Sequence, residues 1–465
     1  MPLTADDLFI LSLLSFAVWL PCALFAYRGA RLPFYHPISF YLVYHFMGFV
    51  LRPLALGLVG HSGVWAIMGI WPTSEEVSYA IAISAIALVT IVLAPIVFVP
   101  GLYRDTQFSG FELKVGSKPG LAAGLAIVAI LGVVGASSTA TFSDFDVSTL
   151  TTEAVEGGGN ALVGTSGYLT MLSDYLIVVV IFVIALSRHR LVVLSVVLAF
   201  IIFRLTQGSG RYTFISVAIA FATVELVRAG RRQPKLWHLL AAVSLILAFD
   251  VIGSDRLAFR SIVQGSTTIE ETLQRYGETR APELLSGDFG EIENLVATMR
   301  VVHTTGRYNW GSQYLRLIIW PIPRQIWPEK PVYTDLLGLA RYSKVFNIIT
   351  VTMVGDTYTN FGPLAVLLGF VLYGLGFSAA HKYAAQTTNP VWFLAFLLMT
   401  GFITLYYRDG VIGGIYRSLI TLPAIFFLVW IGKVSLVRMV PVPRAGAAYA
   451  VPEDRVARLD HRQSQ

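Results

Sequence analysis

The chain has 465 residues, of which 55% are hydrophobic and only 13% charged. A soluble domain carries about 25% charged residues, so the composition excludes a soluble enzyme, a nucleic-acid module and a disordered chain, and leaves a polytopic membrane protein. The net charge of +6 reads as a basic cytoplasmic face and not as nucleic-acid affinity. The single cysteine, Cys22, permits neither an intrachain disulfide nor a cysteine metal site.

A helix needs about 20 mainly apolar residues to cross the hydrocarbon layer. Eleven stretches meet that condition: 8–27, 36–59, 77–100, 120–137, 168–187, 191–206, 211–228, 236–253, 362–380, 391–407 and 413–432. The first is preceded by Asp6 and Asp7, with no Lys or Arg and no small-x-small cleavage site after it. It therefore reads as a permanent span and not a signal peptide. The tight turn between 191–206 and 211–228 demands a helical hairpin.

Loops alternate in charge along the chain. Arg28 and Arg31; Arg104, Lys114 and Lys118; Arg188 and Arg190; Arg228, Arg231, Arg232 and Lys235; and Lys382 fall on one side, together with the basic residues of the tail. The opposite short loops, 60–76 and 138–167, hold no Lys or Arg but carry Glu75, Glu76, Asp144, Asp146, Glu153 and Glu156. The positive-inside rule then places the N-terminus outside and the C-terminus in the cytoplasm. The expected organisation is transmembrane helices 1–8 in residues 1–253, a large extracytoplasmic loop with short helices over 254–361, transmembrane helices 9–11 in 362–432, and a disordered cytoplasmic tail over 433–465. The paired broken helices of many transporters are not apparent.

Within the large loop, Thr267 with Glu270 has capping-box spacing, and Asp288 with Glu291 imitates it. Ile292, Leu295, Val296, Met299 and Val302 then share one helical face, expected to pack on the bundle or lie at the membrane surface. Tyr314–Trp320 is too short to span, and with Trp327 and its prolines suits an interfacial re-entrant segment.

Polar groups collect at the expected outer face in three places. Gln207-Gly208-Ser209-Gly210-Arg211 is a glycine turn leading into a helix whose N-terminus favours an anion, with Arg204 and Arg211 equally readable as snorkelling side chains. Pro323-Arg324-Gln325-Ile326-Trp327-Pro328-Glu329-Lys330-Pro331 is a proline-stiffened rim presenting Arg324, Glu329 and Lys330. The third place flanks the last spans: Gly355-Asp356-Thr357-Tyr358-Thr359-Asn360-Phe361-Gly362-Pro363 enters one of them, with Asn360 and Pro363 as cap-type residues, and Tyr406-Tyr407-Arg408-Asp409-Gly410 precedes Arg417. Arg417 and Arg52 lie inside apolar segments, where a cation needs a wet cavity or an anionic partner. His45 reads as a hydrogen-bonded bundle residue. Arginines at this depth suit a lipid-linked phosphate or diphosphate. No zinc motif, EF-hand loop or Ser-His-Asp spacing is present.

At Gly208–Phe214, Pro323–Pro331 and Gly355–Gly362 the chain resembles the bacterial O-antigen polymerases, or oligosaccharide repeat-unit polymerases. The resemblance implies an all-α polytopic glycosyltransferase of GT-C type in the bacterial inner membrane. It would move a growing glycan from its polyprenyl diphosphate to a hydroxyl of a newly flipped repeat unit, for O-antigen, capsule or exopolysaccharide. Arg211, Arg324, Lys330, Arg408, Arg417 and Arg52 would hold the diphosphate, and Asp356, Glu329 or His303 would take the acceptor proton, Asp356 first. No cofactor is expected. The implied partners are the lipid-linked glycan, the bilayer, a chain-length regulator and a flippase, and no nucleic acid. An O-antigen ligase and a lipid-linked oligosaccharide flippase or exporter remain the alternative readings.

Overall fold

The computed structural model describes residues 2–59, 65, 71–103, 107–108, 110–143, 172–207, 212–236, 258–263, 265–271, 274, 290–319, 322, 326–327 and 351–438. Its helices, in chain order, are α1 (Ala5–Leu24), α2 (Pro37–Phe46), α3 (Arg52–Val59), α4 (Ser74–Phe98), α5 (Lys118–Ser143), α6 (Tyr175–Leu186), α7 (Arg190–Thr206), α8 (Tyr212–Arg228), α9 (Ala258–Val263), α10 (Glu291–Thr305), α11 (Ser312–Ile319), α12 (Met353–Phe361), α13 (Pro363–Gln386), α14 (Pro390–Gly401), α15 (Ile403–Arg408) and α16 (Val411–Gly432). A π-type turn, Phe25–Gly29, extends α1, and a second, Met47–Leu51, joins α2 to α3.

Among the described residues, six helices are long and apolar enough to cross a membrane: Ala5–Gly29, Pro37–Leu58, Ser74–Phe98, Lys118–Ser137, Pro363–Gln386 and Val411–Gly432. At about 1.5 Å per residue each reaches roughly 30 Å or more, the thickness of a bilayer core. Of the other expected spans, α7 and α8 are helices of 17 residues, α6 has 12, and α14 breaks at Phe402 before continuing as α15. The expected span 236–253 lies almost wholly outside the described residues, as does the tail beyond 438. Leu191, Leu194, Leu198 and Ile202 form an exposed apolar stripe along α7, a surface that only lipid or another helix would cover.

Local chemistry sets the helix starts. Thr4 with Asp7 and Thr73 with Glu76 form reciprocal capping boxes at α1 and α4. Ser74 then hydrogen-bonds Asp7 at 2.6 Å and ties those two ends together. In the 258–274 region the box forms one residue later than its expected position: Glu271 N–H donates to Thr268 Oγ1, and Thr268 N–H to Glu271 Oε2. Thr267 Oγ1 has no partner among the described residues. Pro363 takes the first position of α13, as expected, behind Gly362 at φ +69°. Asn360 is no cap: it closes the last turn of α12 and accepts Gly311 N–H.

Two features depart from the expected pattern. The first is a two-stranded antiparallel ribbon of β1 (Phe111–Val115) and β2 (Val434–Arg438), which clasps the end of the bundle where α16 finishes. Arg438 is anchored there on the carbonyls of Ala384 and Thr387, and Arg228 reaches the carbonyls of Ile184 and Ala185. The second is α10. Its expected apolar face is buried as predicted, but Glu291, Glu293, Asn294, Ala297 and Thr298 are buried too. This helix is not a surface helix. It is sunk among α4, α12 and the Met47–Leu51 turn.

Close packing of α4 on α13 depends on Gly374, where a Cβ would lie 2.6 Å from the carbonyl oxygen of Ile91. Gly374→Leu should cost about 1–3 kcal/mol through overpacking. Thermal unfolding in nanodiscs should show the lowered midpoint, and an unchanged midpoint would show that α4 and α13 can separate freely.

Candidate functional site

One end of the bundle carries the N-termini of α1, α4, α6, α8 and α16, the C-termini of α7 and α15, and all of α12. A series of contacts links them. Glu76 binds Arg300, the Tyr358 hydroxyl sits 3.3 Å from His303 Nε2, Asp356 receives the Val411 N–H at 3.2 Å, and Arg408 lies 4.0 Å over the Tyr212 ring. Five of the expected site residues, Arg52, His303, Asp356, Arg408 and Arg417, therefore share this face. Arg211, Arg324, Glu329 and Lys330 lie outside the described residues.

Arg52 is fully occupied. Its Nε and Nη2 donate to Glu293 Oε1 at 2.9 and 2.5 Å, with both side chains at 0% exposure. A buried charge held this way has no path to a ligand, so the expected diphosphate role does not fit its position. Glu293, which supplies the needed acid, gives no pattern in the sequence beyond lying two residues from Glu291.

Glu291 is the buried acid that sequence reasoning treated as a cap and nothing more. Both of its oxygens are buried without a hydrogen-bond partner among the described residues. Its Cγ sits where the Cβ of any side chain at Gly48 would fall, 2.5 Å away. Burial pushes its carboxyl up to about 8, opposed in part by the nearby Tyr44 hydroxyl and the Arg408 guanidinium.

Arg408 is mostly buried, pairs with Asp409 at 3.2 Å and rests on Tyr212. Arg417 binds Asp174 at 3.0 Å and remains 39% exposed. Arg204 completes this group: it donates to Thr213 at 3.2 Å, lies within electrostatic reach of Asp174 and Arg417, and keeps a buried Nε with no partner among the described residues. One guanidinium, Arg417, is thus paired with Asp174, and a second, Arg204, stands within electrostatic reach of the same carboxylate where three apolar helices end. Asp174 is not singled out by the sequence analysis, although an ionisable residue inside the apolar stretch 168–187 is the signal that points to it.

Asp356 lies in the first turn of α12, as its place beside a helix N-terminus suggested. Its carboxylate accepts the leading N–H of α16 and packs under Gly410, where φ of +87° and a Cβ only 2.9 Å from the carboxyl both require glycine. The position is that of a capping carboxylate. His303 is exposed beside a cavity of about 610 Å³ that Tyr79, Arg300, Glu75 and Glu76 help to line. Among the described residues no three His, Cys, Asp or Glu side chains gather as a metal set.

Removing one partner of a buried ion pair strands the other, so Glu293→Ala should cost about 3–5 kcal/mol, whereas Arg52→Met with Glu293→Leu should recover most of it. Chemical or thermal unfolding of both variants tests the pair. For Glu291 the sign is set by a folded-state value above the ordinary 4.5. Its contribution is fully present below about pH 4.5 and is lost as the pH rises through about 8. The unfolding midpoint should fall between about pH 5 and pH 8 in the native chain and lose most of that slope in Glu291→Gln. Parallel slopes would mean that the carboxyl is solvated.

No protein-family model, no curated protein and no solved structure matches the chain.

Proposed function

We propose that the chain is a membrane glycosyltransferase that polymerises polyprenyl-diphosphate-linked oligosaccharide units, with eleven spans, a GT-C-type architecture and its basic ribbon-bearing end in the bacterial cytoplasm. The observation that carries this reading is the charge imbalance at Arg204, Arg417 and Asp174. Among the described residues, one cation paired with Asp174 and a second, buried one within its electrostatic reach stand against a single anion at helix ends, an arrangement that draws in a further anion. An anionic group placed at the end of an apolar segment is what a lipid-linked diphosphate presents. Guanidiniums there hold phosphate oxygens bidentately and stabilise charge growing on the leaving diphosphate. The glycine turn carrying Arg211 joins Arg204 to Tyr212 along the chain, and the proline rim with Arg324 and Lys330 follows α11 in sequence. Both are assigned to the same diphosphate on the strength of the resemblance.

The test is reconstitution of the full chain in liposomes with a synthetic polyprenyl-diphosphate oligosaccharide, without nucleotide sugar or ATP. A ladder of repeat lengths is expected. It should weaken at least about a hundredfold in Arg417→Ala and in Arg204→Ala, and Arg211→Ala and Arg324→Ala should behave alike. Movement of the lipid-linked sugar across the bilayer without a ladder would replace the polymerase with a transporter. A ladder untouched by these substitutions would overturn the diphosphate assignment.

A further inference from the structure

The cavity beside α10 has a different character from the arginine cluster. Its walls come from the first two turns of α4 and from α10 between Val296 and Thr304. On one side stands Tyr79, 37% exposed, with its ring 6.3 Å from the His303 ring and edge-on to Tyr358 at 6.5 Å. On the other, Arg300 holds Glu76 through two bonds of 2.7 and 2.6 Å and the Trp71 carbonyl through a third of 3.1 Å. Glu75 and Thr304 add a carboxylate and a hydroxyl, and Val296 and Met299 form an apolar floor.

Three properties select a ligand. The aromatic wall is braced: Tyr79 is packed by His303 and Tyr358, so its ring is held in place before anything binds. The polar groups are planar and fixed, since the Arg300–Glu76 pair is bidentate and anchored to backbone. The charge is also inverted. Among the described residues, Glu75 and Glu76 against Arg300 leave the cavity formally one unit negative, whereas Arg204 and Arg417 against Asp174 leave that cluster one unit positive. A phosphate is therefore disfavoured in the cavity and favoured in the cluster.

An aromatic platform flanked by fixed carboxylate, guanidinium and hydroxyl groups matches the alternating C–H and O–H faces of a sugar ring. A net negative wall restricts the choice to uncharged or amino sugars. We infer that the cavity lined by Tyr79, Arg300, His303, Glu75 and Glu76 is a saccharide-binding site for neutral or amino sugars. Resting on the proposed glycosyltransferase reading, it takes the acceptor glycan while the arginine cluster holds the donor diphosphate. The helix α12 lies between the two, with Tyr358 bonded to His303 and Asp356 bonded to the start of α16.

The full chain in lipid nanodiscs is titrated with a panel of phosphate-free oligosaccharides containing neutral hexose, N-acetylhexosamine, amino sugar or uronic acid, and separately with inorganic pyrophosphate. Binding is read by saturation-transfer NMR and calorimetry. Neutral or amino sugars should bind in preference to uronic acids, and Tyr79→Ala should weaken them about tenfold, with Tyr79→Phe close to native. Arg417→Ala should leave sugar binding unchanged while abolishing that of pyrophosphate. Absence of sugar binding, an unaffected Tyr79→Ala, or uronic acids bound as tightly as neutral sugars overturns the inference. The ladder assay separates the two readings. Sugar binding at Tyr79 without a ladder keeps the site and removes the polymerase, whereas a ladder with no Tyr79-dependent sugar binding keeps the polymerase and removes the site.

Discussion

The burial of α10 constrains the rest of the structure. A helix that carries Glu291 and Glu293 in its first turn is buried on all sides through its first half. Taking an ionised carboxylate out of water costs several kcal/mol unless a partner meets it. Arg52 meets Glu293, and that explains why an arginine stands inside an apolar stretch that would otherwise be a routine span. Gly48 lets the helix approach at that depth, because any side chain there would occupy the space of Glu291. Among the described residues Glu291 has no ion-pair partner as Glu293 has in Arg52, and its raised proton affinity is the physical consequence. The pair does not make the bundle more stable than apolar residues of the same shape would. It sets the depth and the rotation of α10, because only one placement brings Glu293 to Arg52.

That placement determines what the other end of α10 can do. With its first turn fixed by Arg52, the helix presents Arg300 to Glu76 and His303 to Tyr358. Both are contacts with elements held independently: Glu76 belongs to the capping box of α4, and Tyr358 to α12, whose Asp356 caps α16. The cavity wall and the arginine cluster are thus built on helix ends that restrain one another through α12. Oppositely signed sites on one face of the bundle remain distinct because each contains its own counter-ion at contact distance, so that only a residual unit of charge is left to attract a ligand.

How much of this could be read from the sequence follows from the range of the interactions involved. The long spans were legible because hydropathy is a local property of 20 or so residues. The apolar face of α10 followed from its 3.6-residue period, but the burial of both sides of its first half did not, since periodicity describes one side and says nothing of what covers the other. The Thr268–Glu271 box shows the limit of spacing rules: two overlapping threonines offered the same pattern one residue apart. The ribbon pairs residues more than 300 positions apart, and each strand is too short to stand out beside the spans. In the site, Arg52 and Arg417 were conspicuous as charges inside apolar segments. Which acids they pair with, Glu293 and Asp174, was not, because an ion pair between distant segments leaves no mark of the partner on either segment alone.

The fate of the expected acids illustrates why geometry precedes pKa in choosing a proton acceptor. Asp356 follows a glycine at a helix start, which made it attractive, yet its carboxylate is already used by the Val411 N–H and is shielded by Gly410. Glu291 has a proton affinity suited to exchange near neutral pH but sits behind Tyr44 and Gly48 with 1% exposure. His303 is the described candidate that is both exposed and oriented, by the Tyr358 hydroxyl on Nε2 and by the Tyr79 ring beside it. On the proposed reading, a sugar stacked on Tyr79 brings its hydroxyls to the imidazole without any rearrangement of the bundle. The acceptor site and the base then stand or fall together: if the cavity holds the acceptor, the imidazole at its edge is the group placed to receive the proton, and Asp356 acts by fixing the helix that bears Arg417.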